Sequence, residues 1–166
     1  MKKLANRVAQ NVMSQEFTFE WNDWVIDSAD GAKKTLGSTV ALSKDPAESG
    51  LTGPVANTIT FDALPMPVGA VLVGGEVIIE AAYAGSTAAT LTLGIAGSLT
   101  NILASNDLKA AANTRTALLL TAALTCNSGQ NIRATIAYTV ANATAGKVRV
   151  RVLYTIDGRA NEMVGA

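Results

Sequence analysis

The sequence predicts an all-β protein: an antiparallel β-sandwich, jelly-roll-like, with one short helix and an extended N-terminal arm. Three observations carry that expectation. Over residues 147–156, Val148, Val150, Val152, Tyr154 and Ile156 fall on every second position, while Arg149, Arg151 and Thr155 face the other way. Only Leu153 breaks the polar row, so this reads as a half-buried strand with a basic outer face. Similar alternation recurs in several stretches after Asn57, and clusters of Gly, Asn, Asp, Ser and Pro separate them. Seven or eight such strands with turn signals between them describe a sandwich or jelly roll.

Taken in order, residues 1–13 place Leu4, Val8 and Val12 at helical spacing, with Ala5 and Ala9 beside them. This segment is a short amphipathic helix or an arm, and a helix so short needs a surface to fold on. Phe17-Thr18-Phe19-Glu20-Trp21 alternates as a first strand, and Trp24-Val25-Ile26 follows. Both tryptophans and two of the three phenylalanines lie between residues 17 and 24. Such a cluster is core, or an anchor for a partner, which makes Trp21 and Trp24 candidate contacts. Asp27-Ser28-Ala29-Asp30-Gly31 is a turn. Residues 27–57 read as a long loop or arm, whose only apolar run is Thr39-Val40-Ala41-Leu42. The chain therefore divides into an N-terminal arm over 1–56, with a first strand near 17–26, and a β-sandwich domain over 57–166.

Within that domain Ile59, Phe61 and Ala63 alternate inward until Pro65 and Pro67 break the ladder. Val71, Val73, Gly75, Val77, Ile79, Ala81 and Tyr83 read as the next inward row, opposite Glu76, Ile78 and Glu80. Gly74-Gly75 marks a bulge or bend in it. Leu91, Leu93 and Ile95 continue the pattern. Residues 105–112 are the helix candidate, with Ser105 or Asn106 as cap, Asp107 at the positive end and an alanine run behind. Leu118, Leu120, Ala122 and Leu124 resume alternation, then Ile132, Ala134, Ile136 and Tyr138. Asn142 to Gly146 turns the chain into the last strand, so that the final two strands form a hairpin candidate.

Apolar residues make up 49% of the 166, and charged residues only 16%, against about a quarter in ordinary globular domains. With 13 basic and 13 acidic residues the net charge is zero. A nucleic-acid binder would carry a basic excess, so no nucleic acid is expected as partner. No apolar stretch is long enough for a membrane span, and Asn6, Arg7, Gln10 and Asn11 interrupt any signal-peptide core. The expected setting is a soluble protein made in a reducing cytoplasm. A surface poor in charge suits a protein partly covered by neighbours.

Little chemistry is visible. The absence of histidine removes Ser-His-Asp and Cys-His catalysis and histidine-based metal sites, and the single Cys126 permits neither an internal disulfide nor a cysteine zinc site. Glu76 and Glu80 share one strand face instead of flanking a cleft, as a glycosidase pair would. Gly94-Ile95-Ala96-Gly97 and Gly146-Lys147 lack the remaining residues of nucleotide-binding loops. The expectation is a non-enzyme without metal or cofactor. Arg149 and Arg151 are the most noticeable surface feature, read either as charge protecting an edge strand or as a contact to an acidic partner patch. Arg159, in the turn Asp157-Gly158-Arg159, is a further candidate contact.

The second half resembles a family of tailed-phage structural proteins. The residues that carry the likeness are Ala88-Ala89-Thr90-Leu91-Thr92-Leu93-Gly94, the stretch from Leu103 through Asn106-Asp107-Leu108-Lys109, and Gly146-Lys147-Val148-Arg149-Val150 running on to Tyr154, Asp157 and Gly158-Arg159. They look like the jelly-roll cement or decoration proteins on podovirus-like heads, over roughly residues 57–160. The resemblance implies a virion protein on the capsid surface that binds the major capsid protein and itself, as a homodimer or homotrimer, and bridges neighbouring shell subunits. The competing expectation is a carbohydrate- or receptor-binding sandwich of a head or tail fibre, which would carry exposed aromatics.

Overall fold

The computed structural model describes residues 12–29, 31–37, 41–42, 58–120, 125–126, 129–139 and 143–156. Among them are twelve strands and no helix. In chain order they begin with β1 (Met13–Glu20), β2 (Trp24–Ile26), β3 (Lys33–Thr35) and β4 (Ala41–Leu42). Next come β5 (Thr58–Pro65), β6 (Ala70–Ala84), β7 (Ala88–Ile95) and β8 (Ser98–Asp107). The last four are β9 (Arg115–Ala117), β10 (Thr125–Cys126), β11 (Asn131–Thr139) and β12 (Ala145–Ile156).

All pairings are antiparallel. The first sheet runs β1-β12-β6-β10, with β9 also on β6; the second runs β5-β11-β7-β8; a small third sheet is β2-β3-β4. The two larger sheets share one core. Phe19, Val77, Ile79, Val148, Val150 and Val152 from the first meet Ile59, Phe61, Leu91, Leu93, Ile132 and Ile136 from the second. Phe19 packs edge-on against Phe61 with centroids 6.0 Å apart, and Tyr83 faces Tyr138 at 6.3 Å. Val148, Val150 and Val152 are fully buried, each worth about 1.5–3 kcal/mol over an exposed side chain.

The all-β antiparallel expectation holds, and the alternation of β11 is as read, as is that of β12 through Val152; from Leu153 to Ile156 all four side chains are half-buried. Several details differ. The helix expected over 105–112 does not form: β8 continues through Asp107, and turns follow. Asp107 Oδ1 accepts the Lys109 N–H at 2.9 Å, closing a local turn instead of standing at the positive end of a helix. Leu108 is then drawn into the core, its N–H donating to Ala89 O and its carbonyl accepting from Tyr83 N–H, both at 2.9 Å. These contacts across the fold outweigh the weak preference of a three-alanine run.

β11 and β12 are not a hairpin. They are consecutive, yet β11 pairs with β5 and β7 while β12 pairs with β1 and β6. A bulge does lie beside Gly74-Gly75, at Val73, where the register on β12 slips between Leu153 and Tyr154. It reverses the inward row ahead of it, so Ala70 and Leu72 are buried and Val71 and Val73 turn outward. A second bulge, at Ile132/Arg133, passes over Ala63, and Leu64 takes the buried place expected for that alanine.

β1 begins earlier than expected and pairs with β12 over eight residues. The boundary drawn between 56 and 57 therefore cuts through a sheet: Phe19, from the expected arm, belongs to the common core. The long loop expected over 27–57 contains β3 and β4 in its first part, and residues 43–57 lie outside the described residues, as do 1–11.

Candidate partner-binding surface

The outer face of the first sheet is a lattice of charges whose sign alternates strand by strand. Glu16 and Glu20 stand on β1, Lys147, Arg149 and Arg151 on β12, Glu76 and Glu80 on β6, and Arg115 on β9. Antiparallel pairing sets residues of one face side by side. Arg151 pairs with Glu16 and, at 3.4 Å, with Glu76; Lys147 reaches Glu20 at 2.8 Å and Glu80 at 3.8 Å. Arg149 Nε lies 3.0 Å from Glu80, off the angle of a linear hydrogen bond, and its Nη1 is 3.9 Å from Glu16. Arg115 Nη1 holds both Glu76 oxygens, at 2.8 and 2.9 Å. The hydrogen bond and charge of Glu20 hold the Lys147 ammonium above the ordinary lysine range. Ile78, level with both Arg149 and Arg115, is buried on this outer face, flanked by their aliphatic stems.

This arrangement corrects the edge-protection reading of Arg149 and Arg151. β12 lies between β1 and β6, so it is no edge. Its basic row is met on both sides by glutamates, which periodicity within one strand could not reveal.

The second feature is the small sheet. Trp24 and Ile26 share one face of β2 and are 59% and 52% exposed. Lys33 Nζ sits 3.8 Å from the centre of the Trp24 ring, a cation–π contact. Trp21, in contrast, is partly buried and packs on the core, with its carbonyl and ring so close to Gly37 that a Cβ there would lie 2.5 Å from Trp21 O. Of the aromatic cluster, then, Phe19 is core, Phe17 and Trp21 are partly buried, and Trp24 alone faces outward. Arg159 lies outside the described residues.

The small sheet is fixed to the domain through Asp27. Its Oδ2 accepts from Lys34 Nζ at 2.5 Å, and its Oδ1 accepts from the N–H of Ala29 at 2.9 Å and of Thr60 at 3.3 Å. Ser28 N–H donates to Thr60 O at 2.6 Å, extending the tie to β5. Between the small sheet and the edges of β1 and β5 lie two adjoining hollows of about 300 and 480 Å³. Both are bordered by Val25, Phe61 and Asp62, and the smaller also by Phe17 and Trp24. Elsewhere, Leu119 (73% exposed) and Val73 leave apolar surface. Among the described residues no group of three or more potential metal ligands occurs.

No protein-family model matches the sequence, and no curated protein matches it. Among solved structures the chain is similar to one described as the capsid asymmetric unit of cyanophage Pam1, with a TM-score of 0.49 and 18% identity, over 94% of this chain and 92% of that one. At that identity and TM-score the likeness assigns neither function nor residue roles.

Proposed function

We propose that the protein is a non-enzymatic cement or decoration protein of a phage head, which binds the outside of the shell and bridges neighbouring major capsid protein subunits. The observation that carries the reading is the strand order. Count β1, β5, β6, β7, β8, the β9/β10 pair, β11 and β12 as eight successive strands. The first sheet then holds strands one, eight, three and six, and the second holds two, seven, four and five. That is the double Greek-key succession of a jelly roll, an architecture of viral capsid and lectin domains and of cupins. A cupin-type histidine metal site has no histidine to draw on. The sequence resemblance to jelly-roll cement proteins points the same way.

The surface suits lattice binding. Among the described residues the charges on the outer face of the first sheet are paired with one another, and Leu119, Val68, Trp24, Val12 and Ile26 each leave more than half of their surface exposed. Each contact is modest, but a protein that bridges two shell subunits gains from avidity, and copies over a lattice multiply the effect. Such bridges would resist the outward pressure of packaged DNA. Sedimentation of purified protein with expanded and unexpanded shells tests the reading. Binding in near-stoichiometric ratio to the shell protein is expected, and absence of binding would overturn it.

A second reading, a glycan- or receptor-binding module, is favoured by one observation: Trp24 stands exposed on a sheet face beside Lys33, as ring-stacking sugar sites require. Glycan-array binding that Trp24→Ala abolishes would select it.

A further inference from the structure

The charge lattice ends on an acidic strand with an open side. β1 pairs with β12 along its whole length without a register shift, and among the described residues it is the terminal strand of its sheet. In an antiparallel pair, alternate residues turn their N–H and C=O toward and away from the neighbour. Glu20 identifies which set faces away: its N–H donates to Asp23 Oδ2 at 2.7 Å and its carbonyl accepts from Asp23 N–H at 3.1 Å. Asp23 thus closes the last outward rung. By the same alternation Thr18, Glu16 and Ser14 also turn their backbone outward, and no hydrogen bond claims these groups among the described residues.

Beside this open stretch lies the hollow of about 300 Å³ bordered by Phe17, Thr18, Trp24, Phe61 and Ala63. On the inward row of β1, Gln15 Oε1 is buried without a hydrogen-bond partner. Among the described residues the edge has little of the usual protection: it is eight residues long, regular and free of proline, and its only charges, Glu16 and Glu20, stand on one face.

We propose that the free edge of β1 accepts an extended segment of a partner protein by strand addition, and that this segment alternates basic and apolar residues. The sign follows from the lattice. Outward charges run acidic on β1, basic on β12, acidic on β6 and basic on β9, so the strand that continues the series beside Glu16 is basic. Its other row would drop apolar side chains toward Phe17, Phe61 and Trp24, giving backbone hydrogen bonds for affinity and the hollow for specificity. A second copy joined β1 to β1 would set glutamates against glutamates, which disfavours self-pairing at this edge. The inference does not depend on the partner being a shell protein.

The probe is a synthetic peptide with the sequence of residues 147–154, the strand type β1 already pairs with, and a twin bearing Glu at both arginine positions. Titrated against the full-length protein by fluorescence anisotropy, the basic peptide is expected to bind at least about tenfold more tightly than its twin. Thr18→Pro removes an outward N–H and leaves the ladder to β12 intact; loss of binding at unchanged melting temperature is expected. Should that variant fold poorly, two N-methylated peptides serve instead. Methylation on the alternate residues that face β1 should abolish binding, and methylation on the other set should not. Equal binding of the basic and acidic peptides, equal binding of both methylated forms, or no binding at all would overturn the proposal.

Discussion

Lys34 Nζ lies 2.5 Å from Asp27 Oδ2, and the two side chains are only 4% and 2% exposed. This buried ion pair joins β2 to β3 and, through the second Asp27 oxygen, to the backbone of β5 at Thr60. It is the tie that holds the Trp24 surface in place. Breaking a buried pair from one side leaves an uncompensated charge, so Asp27→Ala and Lys34→Met are each expected to cost about 3–5 kcal/mol in urea unfolding. The double variant should cost less than the sum of the two.

Gly146 is expected to tolerate no side chain. Its φ is +143°, and a Cβ there would lie 2.2 Å from the ring of buried Tyr83. Gly146→Ala should therefore destabilise by about 2–3 kcal/mol. Adding Tyr83→Leu, which vacates part of the space, should recover some of the loss in melting temperature.

Stability should fall at alkaline pH. Burial pushes the phenols of Tyr83 and Tyr138 well above the ordinary tyrosine range, and the two phenols, which face each other, also act on one another. Unfolded tyrosine ionises near pH about 10, while these two keep their protons when folded. The folded state then binds more protons than the unfolded state, so stability is full below that pH and falls above it. Chemical denaturation between pH 8 and 12 should show the fall, and Tyr83→Phe with Tyr138→Phe should flatten it.

Reversing the basic row should expose the lattice on the outer face. Arg149→Glu with Arg151→Glu places new carboxylates beside Glu16, Glu76 and Glu80. A loss of about 1–2 kcal/mol is expected, shrinking as salt is raised because exposed like charges are screened. A loss independent of salt would show that packing over Ile78, not charge, holds this face. A neutral pair, Arg149→Gln with Arg151→Gln, keeps the fold closer to native and suits binding assays better.

The alternation of Val148, Val150 and Val152 was readable in the chain because a strand's two faces differ along its own sequence. Which strands lie beside it was not. That Glu16 and Glu76 flank Arg151 depends on pairings 135 and 75 residues apart, which local periodicity does not encode. The same limit produced the hairpin expectation: turn residues in the sequence between two strands look alike whether the chain folds back in one sheet or crosses to the other. Local signals misled at Asp107, where one carboxylate suits the first turn of a helix or closes a β-turn, and the burial of Leu108 decides. Trp24 and Phe19 are both aromatic within one cluster; only the turn between them, closed by Asp23, sends one outward and the other into the core.

The most direct test of the proposed role is sedimentation of the full-length protein with expanded heads, with its copy number measured against the shell protein. Binding near one copy per shell subunit, weakened by Trp24→Ala with Ile26→Ser, is the expected result. Failure to co-sediment, or heads lacking the protein that withstand heat and pressure equally well, would contradict it.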